Sequence, residues 1–412
     1  MNKSPFMEKA LEIAFSKIGS TSPNPSVGAV IVKDQKVVAR GGTCEAGSDH
    51  AEVVALKKAR DIFGGQKGPV LKGAEIFVSL EPCSHFGKTP PCADAIIESG
   101  IRVVHMPILD PNPLVAGKGV QKLIASGVKV EMMHQYADAA ADLIRPFKKL
   151  ILRHKPYIVH KCAATMDGRI ATPSGDSRWI SSPFSRLLAH KLRQKVDAVI
   201  VGKNTCLMDD PALTVRLDDF DPSIHQRLHD DGAKTLGRDN YFFRRLMENE
   251  DPNADQPLRV LVGLPEEIDL EKKFFSDGNY LIFEKEEKVK ALFEKDASLE
   301  KKLKKDKLCI LSSTDGREFI HDLLEALADY GIMYAMLEGG SLLAGSFFDA
   351  GEIDQFLYVT APKIIGSGKS PVEGEKKEFM KEALLLNDIT MVMAGPDMVT
   401  NGYREKYNFE MM

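Results

Sequence analysis

The sequence lacks any apolar run of the roughly 20 residues that a membrane helix needs. Its first residues, Met1 to Phe6, lead into an amphipathic segment and do not have the pattern of a secretory signal peptide. There is no excess of positive charge either: the formal net charge is -4, which counts against a nucleic-acid-binding surface. We therefore expect a cytoplasmic protein that neither spans a membrane nor binds nucleic acid.

Cysteine is also sparse, with 6 residues, and only Cys83 and Cys92 have a spacing typical of metal ligands. The rest of the composition is that of an ordinary globular protein, with 43% hydrophobic and 28% charged residues. A chain of 412 residues is long enough for two or three domains, each with a core of its own.

One stretch brings together the residue types of a zinc site. His50-Ala-Glu52 is followed by Pro82-Cys83, and eight residues separate Cys83 from Cys92. A catalytic zinc has three protein ligands and leaves one position to water, whose pKa it lowers to about 7. We predict that His50, Cys83 and Cys92 are the ligands. Glu52 would then carry a proton from the attacking water to a leaving amine.

Other interpretations use the same residues. A closed structural zinc site would take His85 as its fourth ligand, although such a site has no need of Glu52. A disulfide between Cys83 and Cys92 is not expected in a chain without a secretory signal. A deaminase that edits nucleic acids has the signature His-x-Glu and Pro-Cys-x-x-Cys, whose cysteines are closer together than the two here.

Apolar periodicity predicts alternating strands and helices around this stretch. The predicted helices are Met7 to Ile18, His50 to Arg60, Ala93 to Ser99, Lys118 to Ser126 and Tyr136 to Phe147; the predicted strands are Val27 to Val32, Lys36 to Arg40, Glu75 to Leu80, Arg102 to Pro107 and Val128 to Met132. Such alternation indicates a sheet with helices on both faces. Two helix N-termini would point at the metal, where their dipoles favour thiolate ligands.

Four motifs of this half resemble, in order, the deaminase half of the bifunctional riboflavin-biosynthesis deaminase/reductase family. They are Thr21-Ser-Pro-Asn-Pro-Ser-Val-Gly-Ala-Val30, His50-Ala-Glu52, Pro82-Cys-Ser-His-Phe-Gly-Lys-Thr-Pro-Pro-Cys92 and Asp110-Pro-Asn-Pro-Leu-Val-Ala-Gly-Lys-Gly119. The resemblance implies a cytidine-deaminase-like three-layer αβα domain. It also implies that Asn24 contacts the substrate and that His85 and Lys88 hold its ribose phosphate. By residue type alone, Asn24 would be a turn residue and Lys88 a solvated lysine. Thr43 stands where the family often has a histidine.

The chain after residue 148 carries motifs that resemble the reductase half of the same family, whose fold is similar to dihydrofolate reductase. They are Thr165-Met-Asp-Gly-Arg-Ile-Ala171, Ser174-Gly-Asp-Ser-Arg-Trp-Ile180, the segment from Gly202 to Arg216 and Glu338-Gly-Gly-Ser-Leu-Leu343. The resemblance implies that the sugar-phosphate substrate is held by Lys161, Ser177, Arg193, Leu213, Arg216 and Glu338. NADPH would be held by Trp179, Thr205, Asp209 and the turn formed by Gly340, Ser341, Leu342, Leu343, Ala344, Gly345 and Ser346.

Elementary chemistry supports part of this assignment. A glycine pair between a strand and a helix leaves backbone N–H groups for a phosphate, although such turns are common and no Gly-x-Gly-x-x-Gly precedes this one. The forked donors of the two arginines suit a phosphate. Without the resemblance, Trp179 would be a core or interface aromatic and Asp209 a helix or turn cap. Gly366-Ser-Gly-Lys-Ser370 is predicted to be an ordinary loop.

Three features of the second half depart from the family pattern. Residues 217–256 are charged and are predicted to form a surface insertion with one helix around Tyr241 to Met247. Alternating Glu and Lys from Glu284 to Lys307 predict a solvated helix face. Gly263-Leu264 stands where the family often has Asp-Ser, so a cofactor hydroxyl contact is expected to be missing.

We therefore predict an α/β enzyme of two domains, residues 1–147 and 148–412. The resemblance implies that the first is a zinc hydrolase that deaminates 2,5-diamino-6-(5-phosphoribosylamino)pyrimidin-4-one. The second would use NADPH to reduce the ribosyl group to a ribityl chain. The alternative is an active deaminase with a non-catalytic second domain. The expected partner is the small-molecule substrate, and we expect a homodimer or higher homo-oligomer.

Overall fold

The computed structural model of the chain describes residues 4–62, 71–85, 90–232, 234, 236–237, 240–248, 255–303, 305–313 and 315–406. These residues form two compact units. The first contains the described residues up to 154 together with 240–245, and the second contains those of 155–239 and 246–406. None of the described helices combines the length and the apolar character that a membrane crossing requires.

The first unit is a mixed sheet with helices. Its elements are α1 (Pro5–Lys17), β1 (Gly28–Lys33), β2 (Lys36–Gly42), α2 (Ala51–Ile62), β3 (Glu75–Val78), α3 (Cys92–Ser99), β4 (Val103–Met106), α4 (Lys118–Ala125), β5 (Lys129–Met132) and α5 (Ala137–Arg153). The described strands lie in the order β2-β1-β3-β4-β5. β1 pairs antiparallel with β2 and β3, whereas β3, β4 and β5 are parallel.

Two glycines show how helices cover both faces of this sheet. A Cβ on Gly28 would lie 2.0 Å from Ala10 O in α1, and a Cβ on Gly41 would lie 2.1 Å from Ala51 O in α2. Gly41 pairs with Ala29, the neighbour of Gly28. Because paired residues share a face and successive residues alternate, Gly28 and Gly41 point to opposite faces. α1 and α2 therefore lie on opposite sides of the sheet, as the predicted three-layer arrangement requires.

The second unit contains a larger sheet. Its elements are β6 (Tyr157–Thr165), α6 (Pro183–Arg193), β7 (Ala198–Gly202), α7 (Lys203–Asp209), α8 (Pro222–Gly232), β8 (Leu236–Gly237), β9 (Leu258–Val262), β10 (Tyr280–Lys285), α10 (Glu286–Lys295), α11 (Ala297–Lys302), β11 (Leu308–Leu311), α12 (Gly316–Asp329), β12 (Tyr334–Leu337), α13 (Ser341–Asp349), β13 (Gln355–Ala361), β14 (Asn387–Ala394) and β15 (Asp397–Tyr403). One more helix, α9 (Tyr241–Glu248), has its residues 241–245 in the first unit. Among the described strands the order is β11-β10-β9-β7-β12-β6-β13-β15-β14-β8.

The strands from β11 to β13 are all parallel, and β15, β14 and β8 continue the sheet antiparallel. All four residues of β12 are buried, as expected for a parallel strand covered on both faces. The carboxyl ends of β7, β9, β10 and β12 therefore meet at one edge of the sheet, where ligands of open α/β sheets bind.

Two sequence predictions need correction here. The helix predicted to end at Phe147 continues to Arg153, so a boundary after residue 147 would cut α5; the compact units divide after His154. The segment 217–256, predicted as a surface insertion with one helix, contains both α8 and α9. Its Phe243 is 1% exposed, and Phe242 packs on Phe15 with ring centroids 5.7 Å apart, both of them residues of the first unit. The high density of charged residues in the segment hid the burial of this helix.

Candidate active sites

His50, Cys83 and Cys92 come together in the first unit. The Nδ1 atom of His50 lies 3.6 Å from Cys83 Sγ and 3.3 Å from Cys92 Sγ, and all three ligand atoms lie within 4.8 Å of one another. A tetrahedral zinc ion with bonds of about 2.0–2.3 Å would separate nitrogen and sulfur by about 3.6 Å. The donor set and its spacing therefore fit a zinc ion bound by three protein ligands.

Two helix starts and one strand end bring these ligands together. His50 directly precedes α2, and its carbonyl accepts the N–H of Val54 at 3.0 Å. Cys83 follows β3, and Cys92 is the first residue of α3. The N–H of Cys92 donates to Cys83 Sγ at 3.3 Å. The two predicted helix N-termini therefore do lie at this site.

The groups around Cys83 favour its thiolate form. Hydrogen bonds from Cys92 and then from His50 lower the pKa of Cys83 to about 4, against the opposing effect of burial. The hydrogen bond to Cys83 in turn raises the pKa of His50 to about 9. A thiolate is thus favoured at neutral pH, and thiolate is the form of cysteine that binds zinc.

Glu52 lies in the first turn of α2 and is 4% exposed. Its carboxyl group is hydrogen-bonded to Cys92, and burial followed by the charge of Cys83 raises its pKa to about 7. A carboxyl group with a pKa near the working pH can both accept and release a proton, as general acid–base catalysis requires.

The structure describes two of the three residues predicted to contact the deaminase substrate. Asn24 is half-buried in a turn, where its N–H donates to Thr21 O at 2.9 Å. His85 is exposed on the segment that follows Cys83. Lys88 lies outside the described residues. Thr43 is 3% exposed and accepts the N–H of Val27 at 3.1 Å, so it has a structural role in place of the family's histidine.

Glu81 is a residue that the sequence analysis missed. Its buried carboxylate accepts the backbone N–H groups of Asp110, Gly117 and Val120 at 3.1, 2.9 and 3.1 Å. It therefore fixes the Asp110 motif beside the segment that carries Cys83. Its position directly before Pro82-Cys83 was the available signal.

In the second unit, a cavity of about 1390 Å³ lies at the carboxyl edge of the sheet. Most of the residues predicted for the reductase line it: Lys161, Ser177, Trp179, Arg193, Thr205, Asp209, Leu213, Arg216, Glu338, Gly340, Ser341, Leu342, Leu343 and Ser346. Ala344 and Gly345 do not. Ala344 is 1% exposed, and a Cβ on Gly345 would lie 2.0 Å from Glu373 O, so this face of α13 packs against the segment 373–374.

A carboxylate that contacts two cationic side chains lies in the lining of this cavity. Glu338, just after β12, accepts Arg193 Nη2 at 2.8 Å and Lys161 Nζ at 3.3 Å. Burial alone would raise the pKa of Glu338, but Arg193 and Lys161 together hold it at about 2. Arg193 also donates to Thr214 O at 2.9 Å, while its buried Nε has no hydrogen-bond partner among the described residues. That orphaned donor fits an acidic ligand.

The same cavity has features that fit a dinucleotide. The first residues of α13 line it, so the backbone N–H groups of a helix start face the space where a pyrophosphate would bind. Trp179 is 63% exposed, with the Arg186 guanidinium 4.5 Å from its ring centroid. An exposed aromatic ring at a cavity wall is suited to stacking and is not the core residue that composition alone would suggest.

Several further residues of the cavity were not predicted, among them Lys203, Glu284, Lys285, Lys288 and Lys369. Glu284 was expected on a solvated helix face, which is wrong: it lies near the end of β10 and is 3% exposed. Lys369 belongs to the loop of Gly366 to Ser370. That loop pairs with the motif around Ala171, since the N–H of Lys369 donates to Ala171 O at 3.0 Å. Glu284 directly follows the buried apolar residues of β10, and that apolar run could have predicted its burial.

Comparisons with known proteins match both halves. Residues 156–400 match the model of the RibD C-terminal domain, and residues 1–107 match that of the cytidine and deoxycytidylate deaminase zinc-binding region. The riboflavin biosynthesis protein RibD of Aquifex aeolicus is 38% identical over 367 residues, which cover 89% of this chain and 88% of that protein.

Two solved structures are also similar. RibD of Acinetobacter baumannii, form 2, has a TM-score of 0.72 at 30% identity and covers 96% of this chain and 97% of its own. The other is a diaminohydroxyphosphoribosylaminopyrimidine deaminase/5-amino-6-(5-phosphoribosylamino)uracil reductase from Thermotoga maritima. It has a TM-score of 0.75 at 28% identity and covers 97% of each chain.

Proposed function

Since the chain belongs to the RibD family of bifunctional riboflavin-biosynthesis enzymes, we propose that its two candidate sites act in turn on one pyrimidine ribosyl phosphate. The enzyme is a zinc-dependent deaminase and an NADPH-dependent reductase. The observation that carries the assignment of residues is the cluster of His50, Cys83 and Cys92 beside the buried Glu52. The charged cavity of the second unit supports the second activity in the same way.

In the deaminase site, His50, Cys83 and Cys92 hold zinc, which when bound activates water at neutral pH. Glu52 takes a proton from the attacking water and delivers one to the amino group. Oxygen bonds to the ring carbon, the carbon–nitrogen bond breaks, and ammonia leaves. Asn24, His85 and Lys88 position the substrate, the last two through its ribose phosphate. The substrate of this step is 2,5-diamino-6-(5-phosphoribosylamino)pyrimidin-4-one.

In the reductase site, NADPH supplies a hydride when bound, and the protein supplies position and charge. Trp179, Thr205, Asp209 and the start of α13 hold the cofactor. Lys161, Ser177, Arg193, Leu213, Arg216 and Glu338 hold the sugar phosphate. When bound, NADPH would supply the hydride that C1′ of the ribose gains, while the ring oxygen would leave that carbon and take a proton to give a ribityl chain. Glu338 accepts hydrogen bonds from Lys161 and Arg193 and thereby holds both side chains in place for the substrate.

We assign the deaminase to the first compact unit and the reductase to the second. An active deaminase with a non-catalytic second half is not favoured, because the second cavity keeps its charged residues and its glycine turn. We also propose that copies of the chain associate, since the β14–β15 hairpin exposes Met391, Met393 and Met398 and methionine is enriched at subunit interfaces. Sedimentation of the wild type and of a Met393→Lys variant tests this.

We further propose that the enzyme works in the cytoplasm. All six cysteines are unpaired, and the thiols of Cys83 and Cys92 must stay reduced to bind zinc. Cell fractionation with an antibody against the chain tests the location.

The direct test of the two activities is a paired assay on zinc-loaded protein with the diaminopyrimidine ribosyl phosphate. Ammonia release is followed without cofactor, and NADPH oxidation is followed once the cofactor is added. We expect ammonia first and NADPH consumption second. Ammonia alone would leave the second unit without its assigned activity. Neither signal, with zinc bound, would return the metal cluster to a structural role.

A further inference from the structure

Two lysines flank one end of the reductase cavity without an assigned role. Lys203 begins α7, and its aliphatic chain lies over Gly263, with Cδ 3.2 Å from where a Cβ would be. Lys288 lies in the first turn of α10, with its Nζ 4.0 Å from Glu284 Oε1. Both lysines, together with Gly263 and Glu284, line the cavity. We call this group the lysine end of the cavity.

The carboxylate at this end is already engaged by the backbone. Glu284 Oε2 accepts the N–H of Leu264 at 2.9 Å, and its Oε1 accepts the N–H of Lys285 at 2.9 Å. It therefore ties the end of β9 to the end of β10. An acidic residue that receives a ribose hydroxyl, as in sites that bind NAD, needs acceptor capacity directed at the ligand. Lys203 and Lys288 are cationic residues that line the cavity here, as does Lys285 at the end of β10.

The sheet order places the lysine end far from the substrate residues. Glu338 follows β12, and Glu284 lies near the end of β10, three strands away in the order β10-β9-β7-β12. Adjacent strands are about 4.8 Å apart, so this separation is about 14 Å. Thr205 and the start of α13 line the space between. An extended dinucleotide with its nicotinamide near Glu338 would therefore bring its adenosine to the lysine end.

Leu264 has no hydroxyl group that could contribute to the selection between the two nicotinamide cofactors. Its side chain is 1% exposed and does not line the cavity, so the hydroxyl contact expected from the family pattern is absent. Selection between the two nicotinamide cofactors must then come from other groups. The two cofactors differ by a phosphate on the adenosine 2′-hydroxyl, and lysine binds phosphate as a point charge.

We propose that Lys203 and Lys288 bind the 2′-phosphate of NADPH and thereby select it over NADH. The proposal rests on the assignment of the second unit as the reductase. It assigns a specificity role to two residues from segments distant in sequence, one of which falls in a stretch of alternating Glu and Lys.

The test measures binding of adenosine 2′,5′-bisphosphate and of AMP to the full zinc-loaded chain by calorimetry. The probes differ by the 2′-phosphate and cannot transfer a hydride, so activity does not enter the readout. We expect the wild type to prefer the bisphosphate. A Lys203→Met/Lys288→Met variant should lose about tenfold in affinity for the bisphosphate, the combined effect of two exposed ion pairs, and keep its affinity for AMP. Methionine preserves the aliphatic stem that packs on Gly263.

The matched control is Lys290→Met. Lys290 lies on the same helix and pairs with Glu286 at 2.6 Å, but it does not line the cavity. This variant should bind both probes as the wild type does. The wild-type preference should also shrink as salt is raised, because exposed charges are screened.

The outcomes separate this inference from the reductase assignment. A double variant that keeps the wild-type preference, or that loses affinity for both probes equally, would overturn the role of the two lysines while NADPH oxidation continued. A wild-type chain that binds neither probe and does not oxidise NADPH would overturn both. The ratio of the KM values for NADPH and NADH, measured in the same variants, gives an independent check.

Discussion

A substitution at Glu52 can test proton transfer separately from metal binding. Glu52 is buried beside Cys92 but is not one of the three ligand residues. We expect Glu52→Gln to lower the rate of ammonia release by about 10²–10⁴-fold, the usual contribution of a general acid–base group. Zinc content should stay at that of the wild type, because glutamine preserves the shape of the side chain and leaves His50, Cys83 and Cys92 intact. Metal analysis and an ammonia assay measure the two quantities.

Glu45→Gln is the control for this variant, since Glu45 is an exposed acid that precedes the same helix. It should change neither quantity. Loss of zinc together with activity in Glu52→Gln would mean that the carboxylate is itself a ligand, and the proton-transfer role would then be wrong.

Glu338 gives a prediction about stability and pH. Its pKa is about 2 in the folded protein, below the ordinary value of 4.5, so its ion pairs stabilise the fold fully above pH 4.5 and lose their effect as pH falls toward 2. The Glu338 side chain is 18% exposed, so loss of its hydrogen bonds to two charged groups costs about 1.5–3 kcal/mol. We expect Glu338→Gln to be less stable than the wild type by this amount at pH 7 and pH 5, and by less at pH 3.5. Urea unfolding followed by the fluorescence of Trp179, the single tryptophan, measures it.

The comparison variant is Glu375→Gln. Glu375 pairs with Arg317 on the surface, where both side chains are 56% exposed. Such a pair contributes less than about 1 kcal/mol, so this variant should unfold near the wild type at every pH. Equal losses of stability in both variants would show that the lower exposure of Glu338 does not strengthen its ion pairs.

Helix α2 contains Glu52 and directly follows His50, and Gly41 sets how closely the helix approaches β2. A Cβ at Gly41 would lie 2.1 Å from Ala51 O and 2.6 Å from Ala55 N, both of them backbone atoms that have little freedom to move. We expect Gly41→Ala to destabilise the first unit by about 1–3 kcal/mol, the usual cost of overpacking. Because the strain falls on the first turn of α2, zinc affinity and ammonia release should fall with it.

NADPH oxidation by Gly41→Ala, with deaminated substrate supplied, should remain at the wild-type rate. Gly316→Ala is the control substitution, since nothing lies within 4 Å of its added Cβ. Normal zinc affinity in Gly41→Ala would contradict the argument that this glycine positions the ligand-bearing turn.

At the level of secondary-structure elements, a regular spacing of apolar residues was sufficient to predict helices and strands. A mixture of apolar and charged residues was not sufficient. The spacing of apolar residues before Ile18 predicted α1, and the run Glu75 to Leu80 predicted β3. The helix α9 was predicted, but its burial was not, because the charged Arg244 and Arg245 directly follow its aromatic residues in the sequence. The sequence also did not indicate that α13 has two differently packed faces, because it does not show that segment 373–374 packs on Gly345.

At the level of the whole molecule, the order of motifs predicted two activities in one chain, and the comparisons confirm the family and the α/β fold class. Residues within a motif, such as His50 and Glu52, could be proposed directly from the sequence. The lysine end of the cavity was not, because β7, β9 and β10 bring together residues that are more than 80 positions apart, from Lys203 to Lys288. Contacts of that kind depend on strand order, which local patterns do not encode.

The division into two units predicts that the activities respond separately to loss of metal. The three ligand residues belong to the first unit, and every residue that lines the reductase cavity belongs to the second. Treatment with a chelator should therefore abolish ammonia release and leave NADPH oxidation of already deaminated substrate near its original rate. Added zinc should restore ammonia release, because unoxidised cysteine and histidine side chains can release their protons and rebind the ion.

Both rates are measured on the same preparation before and after chelation, with the Glu52→Gln variant as a reference for a dead deaminase that retains its metal. If chelation also stopped NADPH oxidation, while Glu52→Gln did not, zinc would be needed for the integrity of the second unit as well. The metal would then have a structural effect that reaches beyond its own unit, and the two activities would share a dependence that the separation of their residues does not predict.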